Sequence, residues 1–334
     1  MRKLKAAILG CTGAVGQQMI RVLEERGFPL AELRLLASSR SAGSKVLFNG
    51  SEITIEETTD QSFKGLDFVL GAVSNPLAKA YSKSIVDSGA VFIDNSSAFR
   101  MEADVPLVIP EINPEDAKLN HGIIANPNCS TIIALMALSG ICRLSPIQSI
   151  VASTYQAVSG AGKEGMEELE SQIDCYSSGK KIEPKVFPAQ ILSNAIPQIG
   201  SELENGYTTE EMKMQNEGRK ILHLPEMKVC CTCVRVPVMR SHSISVEFVT
   251  RDPVSVEQAR AAIASAPGCR MVDSIEGRNY PTPLDTTDQD LVYVGRLRRN
   301  LIDPERGLAL WCCGDQIRKG AATNAVQIAQ LLFC

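Results

Sequence analysis

The sequence predicts an α/β fold of two domains, and three observations carry that prediction. Short, uniformly apolar runs alternate with amphipathic stretches up to Ala125. A glycine-rich segment, Gly10-Cys11-Thr12-Gly13-Ala14-Val15-Gly16, joins the first apolar run to the first amphipathic one. After Asn126 the apolar segments lengthen and begin to alternate with polar residues. Strands that are apolar on both faces belong to a parallel sheet covered by helices on each side, whereas alternating strands belong to a sheet with one wet face. A length of 334 residues fits roughly two domains at the usual ~100–200 residues each.

In chain order, residues 6–9 read as a buried strand and residues 14–26 as a helix stopped by Gly27 and Pro29. Residues 33–37 and 68–73 are the next strands, and a helix over 76–87 ends at Gly89. Residues 91–94, 107–109 and 122–125 are further short apolar strands. Beyond Asn126, a helix over 131–142 leads to a strand over 149–155 and a helix over 163–175. The Pro-punctuated stretch 183–200 lacks periodicity and reads as a long ordered loop. Residues 228–238, 243–250 and 290–298 are longer, alternating strands, expected to form an antiparallel sheet in an α+β domain. Residues 320–332 have helical apolar spacing and are expected to pack back on the first domain.

Composition narrows the function. Apolar residues at 44% and charged residues at 22% exclude a disordered or fibrous chain. A net charge of −4 offers no basic surface for nucleic acid or anionic membrane. The longest apolar run, 132–138, is far below the ~20 residues that span a bilayer, and the first residues lack a signal-peptide core, so a cytoplasmic protein is expected. The eleven cysteines are odd in number, and several sit in apolar runs as pairs that are adjacent or one apart, as at Cys230-Cys231-Thr232-Cys233. That spacing suits neither a disulfide framework nor a zinc site, so buried thiols are expected for most of them, Cys129 excepted, and no metal is expected.

The glycine segment follows a strand and opens a helix, where free N–H groups can hold a pyrophosphate. Gly10, Thr12, Gly13, Ala14 and Val15 are therefore candidate cofactor contacts on a Rossmann-type domain, although the spacing is Gly-x-x-Gly-x-x-Gly. The second strand runs into Ser38-Ser39-Arg40-Ser41 with no carboxylate to take a ribose 2′-hydroxyl. Ser39, Arg40 and Ser41 instead suit a 2′-phosphate, which favours NADP over NAD. Asn126-Pro127-Asn128-Cys129-Ser130-Thr131 places a thiol where a strand ends and a helix begins. A helix N-terminus stabilises a thiolate, and such a cysteine can form a thioester with a carbonyl. On the residues alone, an inert buried cysteine fits as well.

These segments, together with Asp94-Asn95-Ser96-Ser97-Ala98-Phe99-Arg100, Tyr155-Gln156-Ala157-Val158-Ser159-Gly160-Ala161-Gly162, Glu210-Glu211-Met212-Lys213-Met214, Arg235-Val236-Pro237-Val238, Ser241-His242-Ser243 and Arg318-Lys319-Gly320-Ala321-Ala322-Thr323-Asn324, resemble the aspartate-β-semialdehyde dehydrogenase family over the whole chain. The resemblance implies NADP-dependent, reversible reduction of L-aspartyl-4-phosphate to L-aspartate-4-semialdehyde and phosphate, in the biosynthesis of lysine, diaminopimelate, threonine, methionine and isoleucine. It implies Cys129 as nucleophile, Gln156 as the group orienting substrate and thioester, and His242 as general acid/base. It implies Arg235 as ligand of the substrate carboxylate, and Arg100 and Lys213 as phosphate ligands. Glu210 becomes the candidate for the substrate amino group, because Thr208-x-x-Glu211 reads as a capping box that occupies Glu211. Ser159, Gly160 and Gln316 match cofactor-contacting residues, Gln316 standing where many relatives show Asn. Without the resemblance, His242 reads as a hydrogen-bonded histidine at a strand edge, Arg235 as an ion-paired strand residue and Glu210–Lys213 as a surface pair.

The implied architecture is an NADP-binding domain over 1–127 plus about 315–334, and a catalytic and dimerisation domain over 128–314. The second domain is expected to resemble the C-terminal domain of glyceraldehyde-3-phosphate dehydrogenase, and a homodimer is expected through its sheet. A related N-acetyl-glutamyl-phosphate reductase and a catalytically silent dinucleotide-binding paralogue are the alternatives. The second predicts loss of Cys129 or His242, and both are present.

Overall fold

The computed structural model describes residues 3–274, 276, 277 and 279–334. They form two compact units, one of residues 1–128 with 321–334 and the other of residues 129–320. In the first unit, strand β1 (Leu4–Leu9) leads through the glycine turn into helix α1 (Ala14–Glu25) and then β2 (Leu30–Ala37). Strands β3 (Lys45–Phe48) and β4 (Ser51–Glu57), β5 (Phe68–Gly71), helix α2 (Asn75–Asp87), β6 (Val91–Asp94) and β7 (Ile123–Ala125) follow. The sheet runs β3-β4-β2-β1-β5-β6-β7, and every pair except β3/β4 is parallel. Alternate residues of β1 enter opposite cores. Ala6 and Ile8 pack with Met19, Leu23 and Val326, whereas Ala7 and Leu9 pack with Phe63, Ile85 and Phe92. Burial on both faces is the physical reason for the uniformly apolar strands. The C-terminal helix, Thr323–Phe333, covers the first of these faces, and Phe333 stacks on Phe68 with ring centroids 5.4 Å apart.

Two features of this unit depart from the sequence reading. Residues 107–109 are not a strand; Leu107 makes one isolated bridge with Ala125. Side-chain amides replace a ladder there: Asn113 binds the Ile109 N–H and the Leu107 carbonyl, and Asn324 binds the Val108 carbonyl. The hairpin β3/β4 was not expected, although its Asn49-Gly50 turn, with φ of 49° and 75°, is the dipeptide that hairpins favour.

The second unit opens with α3 (Cys129–Cys142), buried on all sides from Ser130 to Ile141. It continues through β8 (Ile147–Gln156), α4 (Gly162–Ser177), α5 (Thr209–Leu222), β9 (Lys228–Arg235), β10 (His242–Thr250), α6 (Val256–Ala264), β11 (Cys269–Met271), α7 (Pro283–Thr286), β12 (Val292–Arg299) and β13 (Gly307–Gly314). The sheet order is β11-β12-β13-β10-β8-β9. It is mixed rather than antiparallel, because β8/β9 and β11/β12 are parallel. The β8-to-β9 connection carries α4 and α5, which gives the chain the length a parallel crossover needs. Strand β9 stops at Arg235 rather than Val238, two residues before Pro237, which has no N–H to donate. Residues 183–200 contain no helix or strand, as expected. Cys11, Cys231, Cys233, Cys312 and Cys313 are buried free thiols, whereas Cys230 and Cys334 are exposed. Among the described residues, no helix is long and apolar enough to cross a membrane.

Candidate active site

In the first unit the glycine segment leaves the carboxyl end of β1, and Ser38-Ser39-Arg40-Ser41 leaves the same end of the parallel neighbour β2. Gly10 turns the chain at φ +87°, and a Cβ there would lie 2.4 Å from the Ala72 carbonyl oxygen. Gly13 is different: a Cβ would meet only the Gly10 oxygen at 3.6 Å. The fold itself does not need a glycine at 13, so the bare backbone leaves room for a ligand at the helix mouth. No side chain caps α1 and no carboxylate lies in its first turn, which keeps its N-terminus suited to an anion. Thr12, Ser39 and Arg40 are exposed, while Ala14, Val15 and Ser41 are half-buried. Arg100 is buried and held by its own unit, with Nε donating to the Asn126 carbonyl at 2.9 Å and Nη2 to the Asn95 carbonyl at 2.8 Å.

In the second unit three strand ends meet. Gln156 and Arg235 are the last residues of β8 and β9 and sit opposite each other in the parallel ladder. His242 is the first residue of the antiparallel neighbour β10, so it lies at the same end of the sheet. Cys129 opens α3 and brings its Sγ to 3.6 Å from His242 Nε2. The other ring nitrogen, Nδ1, accepts the Ala157 N–H at 3.1 Å. Burial, with the Arg235 guanidinium adding to it, pushes the imidazole down to about 3 against the opposing pull of Glu210. His242 is therefore neutral at pH 7.

Polar groups lock the neighbours. Gln156 accepts from the Thr154 hydroxyl at 3.0 Å and donates to Glu210 Oε1 at 3.3 Å. Thr154 and Gln156 share a face of β8 because strand side chains repeat every second residue. Glu210 also takes Lys213 Nζ at 2.7 Å, one turn along α5. Glu211 forms the expected capping box with Thr208, and its other oxygen accepts the Cys233 N–H at 3.0 Å. Arg235 donates from Nη1 to the Ala157 carbonyl at 2.7 Å and lies 5.9 Å from the Phe187 ring centre. It lines a cavity of about 350 Å³ together with Phe187, Ile196 and Ile199. Gly160 sits beneath both groups, and a Cβ there would come within 2.6 Å of Arg235 Nη1 and 3.3 Å of His242 Cε1.

The structure gathers Cys129, Gln156, Glu210, Lys213, Arg235 and His242 into one unit, while Arg100 belongs to the other. Ser159 and Gln316 are joined: the Gln316 amide nitrogen donates to the Ser159 hydroxyl, and its oxygen accepts the Ser241 N–H at 2.9 Å. Both ends of the Gln316 amide are thus engaged, one on Ser159 and the other on the residue before His242. Sequence reading missed this brace, and it missed the Ala157 peptide, whose N–H holds His242 and whose carbonyl holds Arg235. A backbone group leaves no side-chain signal. Ser241 is held at φ 73°, an uncommon value for a non-glycine residue.

Residues 5–120 match the semialdehyde dehydrogenase NAD binding domain family, and residues 138–319 match the semialdehyde dehydrogenase dimerisation domain family. The aspartate-semialdehyde dehydrogenase of Synechocystis is 48% identical over 98% of this chain and 97% of its own. The solved structure of aspartate semialdehyde dehydrogenase II from Vibrio cholerae, complexed with ASA, superposes with a TM-score of 0.97 at 42% identity over 99% of this chain and 98% of that one. That of the Candida albicans enzyme with NADP superposes with a TM-score of 0.76 at 25% identity, over 99% and 98% of the two chains. On these matches over nearly its whole length, this chain belongs to the aspartate-semialdehyde dehydrogenase family.

Proposed function

We propose that this oxidoreductase uses NADP to reduce L-aspartyl-4-phosphate reversibly to L-aspartate-4-semialdehyde and phosphate through a thioester on Cys129, in the biosynthesis of lysine, threonine, methionine and isoleucine. The observation that carries the reading is the 3.6 Å approach of Cys129 Sγ to a neutral, buried His242 beside an acid and a guanidinium. In the oxidative direction Cys129 sulfur attacks the aldehyde carbon, the hemithioacetal loses a hydride together with its hydroxyl proton, which passes to His242 as general acid/base, to give the thioester, and phosphate displaces the sulfur. The nicotinamide cofactor supplies the hydride acceptor and donor. Gly10, Thr12, Gly13, Ala14, Val15, Ser39, Arg40 and Ser41 would hold it, and the uncapped helix mouth with an exposed guanidinium alongside fits a pyrophosphate and a 2′-phosphate. Ser159 and Gly160 belong to the same proposal, with Gln316 bracing Ser159.

Arg235 suits the substrate carboxylate, which a guanidinium grips through two parallel hydrogen bonds. Glu210 suits the ammonium group, and Gln156 is positioned to orient the carbonyl. Lys213 in this unit and Arg100 in the first are the candidates for phosphate. The matched dimerisation domain supports a homodimer, and a cytoplasmic setting fits a free amino-acid substrate. The test is phosphate-dependent reduction of NADP with aspartate semialdehyde. Appearance of reduced cofactor only when both phosphate and Cys129 are present is the expected result, whereas turnover without phosphate, or none at all, would remove the assignment.

A further inference from the structure

The hairpin between β12 and β13 holds two adjacent apolar residues out in solvent, Leu301 at 89% exposure and Ile302 at 88%. The tip that carries them is tied down. The Ile302 N–H donates to Asn300 Oδ1 at 2.7 Å, the Gly307 N–H to the Asp303 carbonyl at 2.8 Å and the Arg306 N–H to Asp303 Oδ1 at 3.0 Å. Arg306 also donates from Nη1 to Gln148 Oε1 at 3.3 Å, which fastens the hairpin to the start of β8. Two bare apolar side chains on a fixed turn forgo the stabilisation that burial gives, and an exposed apolar patch of this kind marks a contact surface.

A hollow of about 650 Å³ opens at the same end of the sheet, opposite to the end that holds Gln156, Arg235 and His242. Its apolar lining is Pro146 and Ile147 at the start of β8, Leu224, Pro225 and Met227 just before β9, and Val249 near the end of β10. The charges around it nearly cancel: Lys228, Arg251 and Arg306 stand against Glu226 and Asp303, with Arg306 and Asp303 paired at 3.2 Å. Such a rim selects neither an anion nor a cation, and apolar surface is what the hollow offers. Ser149 and Lys228 belong to its wall and sit opposite each other in the β8/β9 ladder. Ser149 shares a strand face with Val151, so the hollow continues the open face of β8 and β9.

We propose that the occupant is a second copy of this chain, each copy seating Leu301 and Ile302 in the hollow of the other, so that two reciprocal knobs lock the homodimer. The proposal rests on the homodimer reading above and names the contact that holds it. Strand order makes the two contacts compatible with one symmetry. In the order β11-β12-β13-β10-β8-β9 the tip joins β12 to β13, and the hollow centres on the ends of β8 and β9, about three strand spacings away or ~14 Å at the usual separation. A two-fold axis parallel to the strands and passing over β10 lies midway between them. It lays the tip of one copy on the hollow of the next, repeats the contact in reverse and brings the two open faces together.

The test places a photoreactive benzophenone amino acid at position 302 of the full chain, in ¹⁴N and ¹⁵N copies that are mixed, exchanged and irradiated. Cross-linked peptides of mixed isotope composition that join position 302 to residues 146–149 or 224–228 are the expected result. Cross-links to other segments, or only within one copy, from a protein that sediments as a dimer would overturn the knob contact and leave the homodimer standing. A protein that sediments as a monomer would overturn both. In parallel, Ile302→Ser changes an exposed side chain on which the fold of one copy does not depend. Because symmetry makes the loss twice, it should raise the dimer dissociation constant by about 10²–10⁴-fold in sedimentation equilibrium. An unchanged constant would also overturn the proposal.

Discussion

At the residue scale the site is a set of side chains whose partners leave each of them little choice of conformation. Cys129→Ser is expected to lower turnover by at least about 10³-fold while cofactor binding stays near wild type, because an alcohol is a far weaker nucleophile at neutral pH. Stopped-flow and cofactor titration check both halves. Glu210→Gln should raise the KM for aspartate semialdehyde by about 10–100-fold with a smaller change in kcat, the cost of one hydrogen bond to a charged group. His242 also links the site to stability. Its pKa is depressed from 6.5 to about 3 in the folded chain. Between those values the unfolded chain binds a proton that the folded chain does not, so stability falls as pH falls through that window. Urea unfolding at pH 7 and pH 4 should show a larger loss for wild type than for His242→Gln, up to about 1.4 kcal/mol per pH unit. Equal losses would mean that His242 titrates normally.

At the scale of elements, helix ends and strand ends hold the candidate site. The Thr208–Glu211 capping box starts α5 and, through the Cys233 N–H, ties the helix to β9. Thr208→Ala should therefore destabilise the chain by about 1 kcal/mol in denaturant unfolding, and it should disturb Glu210, the next residue but one. Arg40 lies exposed just beyond the carboxyl end of β2, an interior strand of the first sheet. Arg40→Ala is expected to raise the KM for NADP by about 10–100-fold and that for NAD by little, since only NADP carries the 2′-phosphate. Equal changes would reduce Arg40 to a support for the loop. Much of this scale was legible in the sequence: the glycine turn, α1, α2, α3 and the capping box all carry local signals. Residues 107–109 were misread because their backbone groups are satisfied by Asn113 and Asn324, and Asn324 lies more than two hundred residues away in sequence.

At the scale of the whole molecule, β8 and β9 of the six-stranded sheet share one face on which alternate residues are open or half-open. Val151 and Tyr155 on β8 and Cys230 and Thr232 on β9 are exposed, while Ile150, Ala152, Cys231 and Cys233 between them are buried. The apolar Val151, at 55% exposure, marks this face for the homodimer proposed above. Val151→Arg places an unpaired charge there and should weaken the dimer by about 100-fold or more, read by sedimentation equilibrium. An unchanged dimer would move the interface elsewhere.

By itself, the sequence determined the α/β class, the glycine turn, the helix that presents Cys129 and the residue types that would do the chemistry, because each rests on neighbours within a few positions. The whole-chain resemblance then grouped those residues into one family. Tertiary structure decided that β8 and β9 run parallel, so that Gln156 and Arg235 end side by side with His242 at the head of β10. It also decided which nitrogen of His242 faces Cys129, because the donor that decides it is a peptide N–H from Ala157, eighty-five residues away in sequence. Local propensity cannot carry such information. Strand direction and peptide orientation are set by the packing of distant segments, and every side chain in the site takes its role from them.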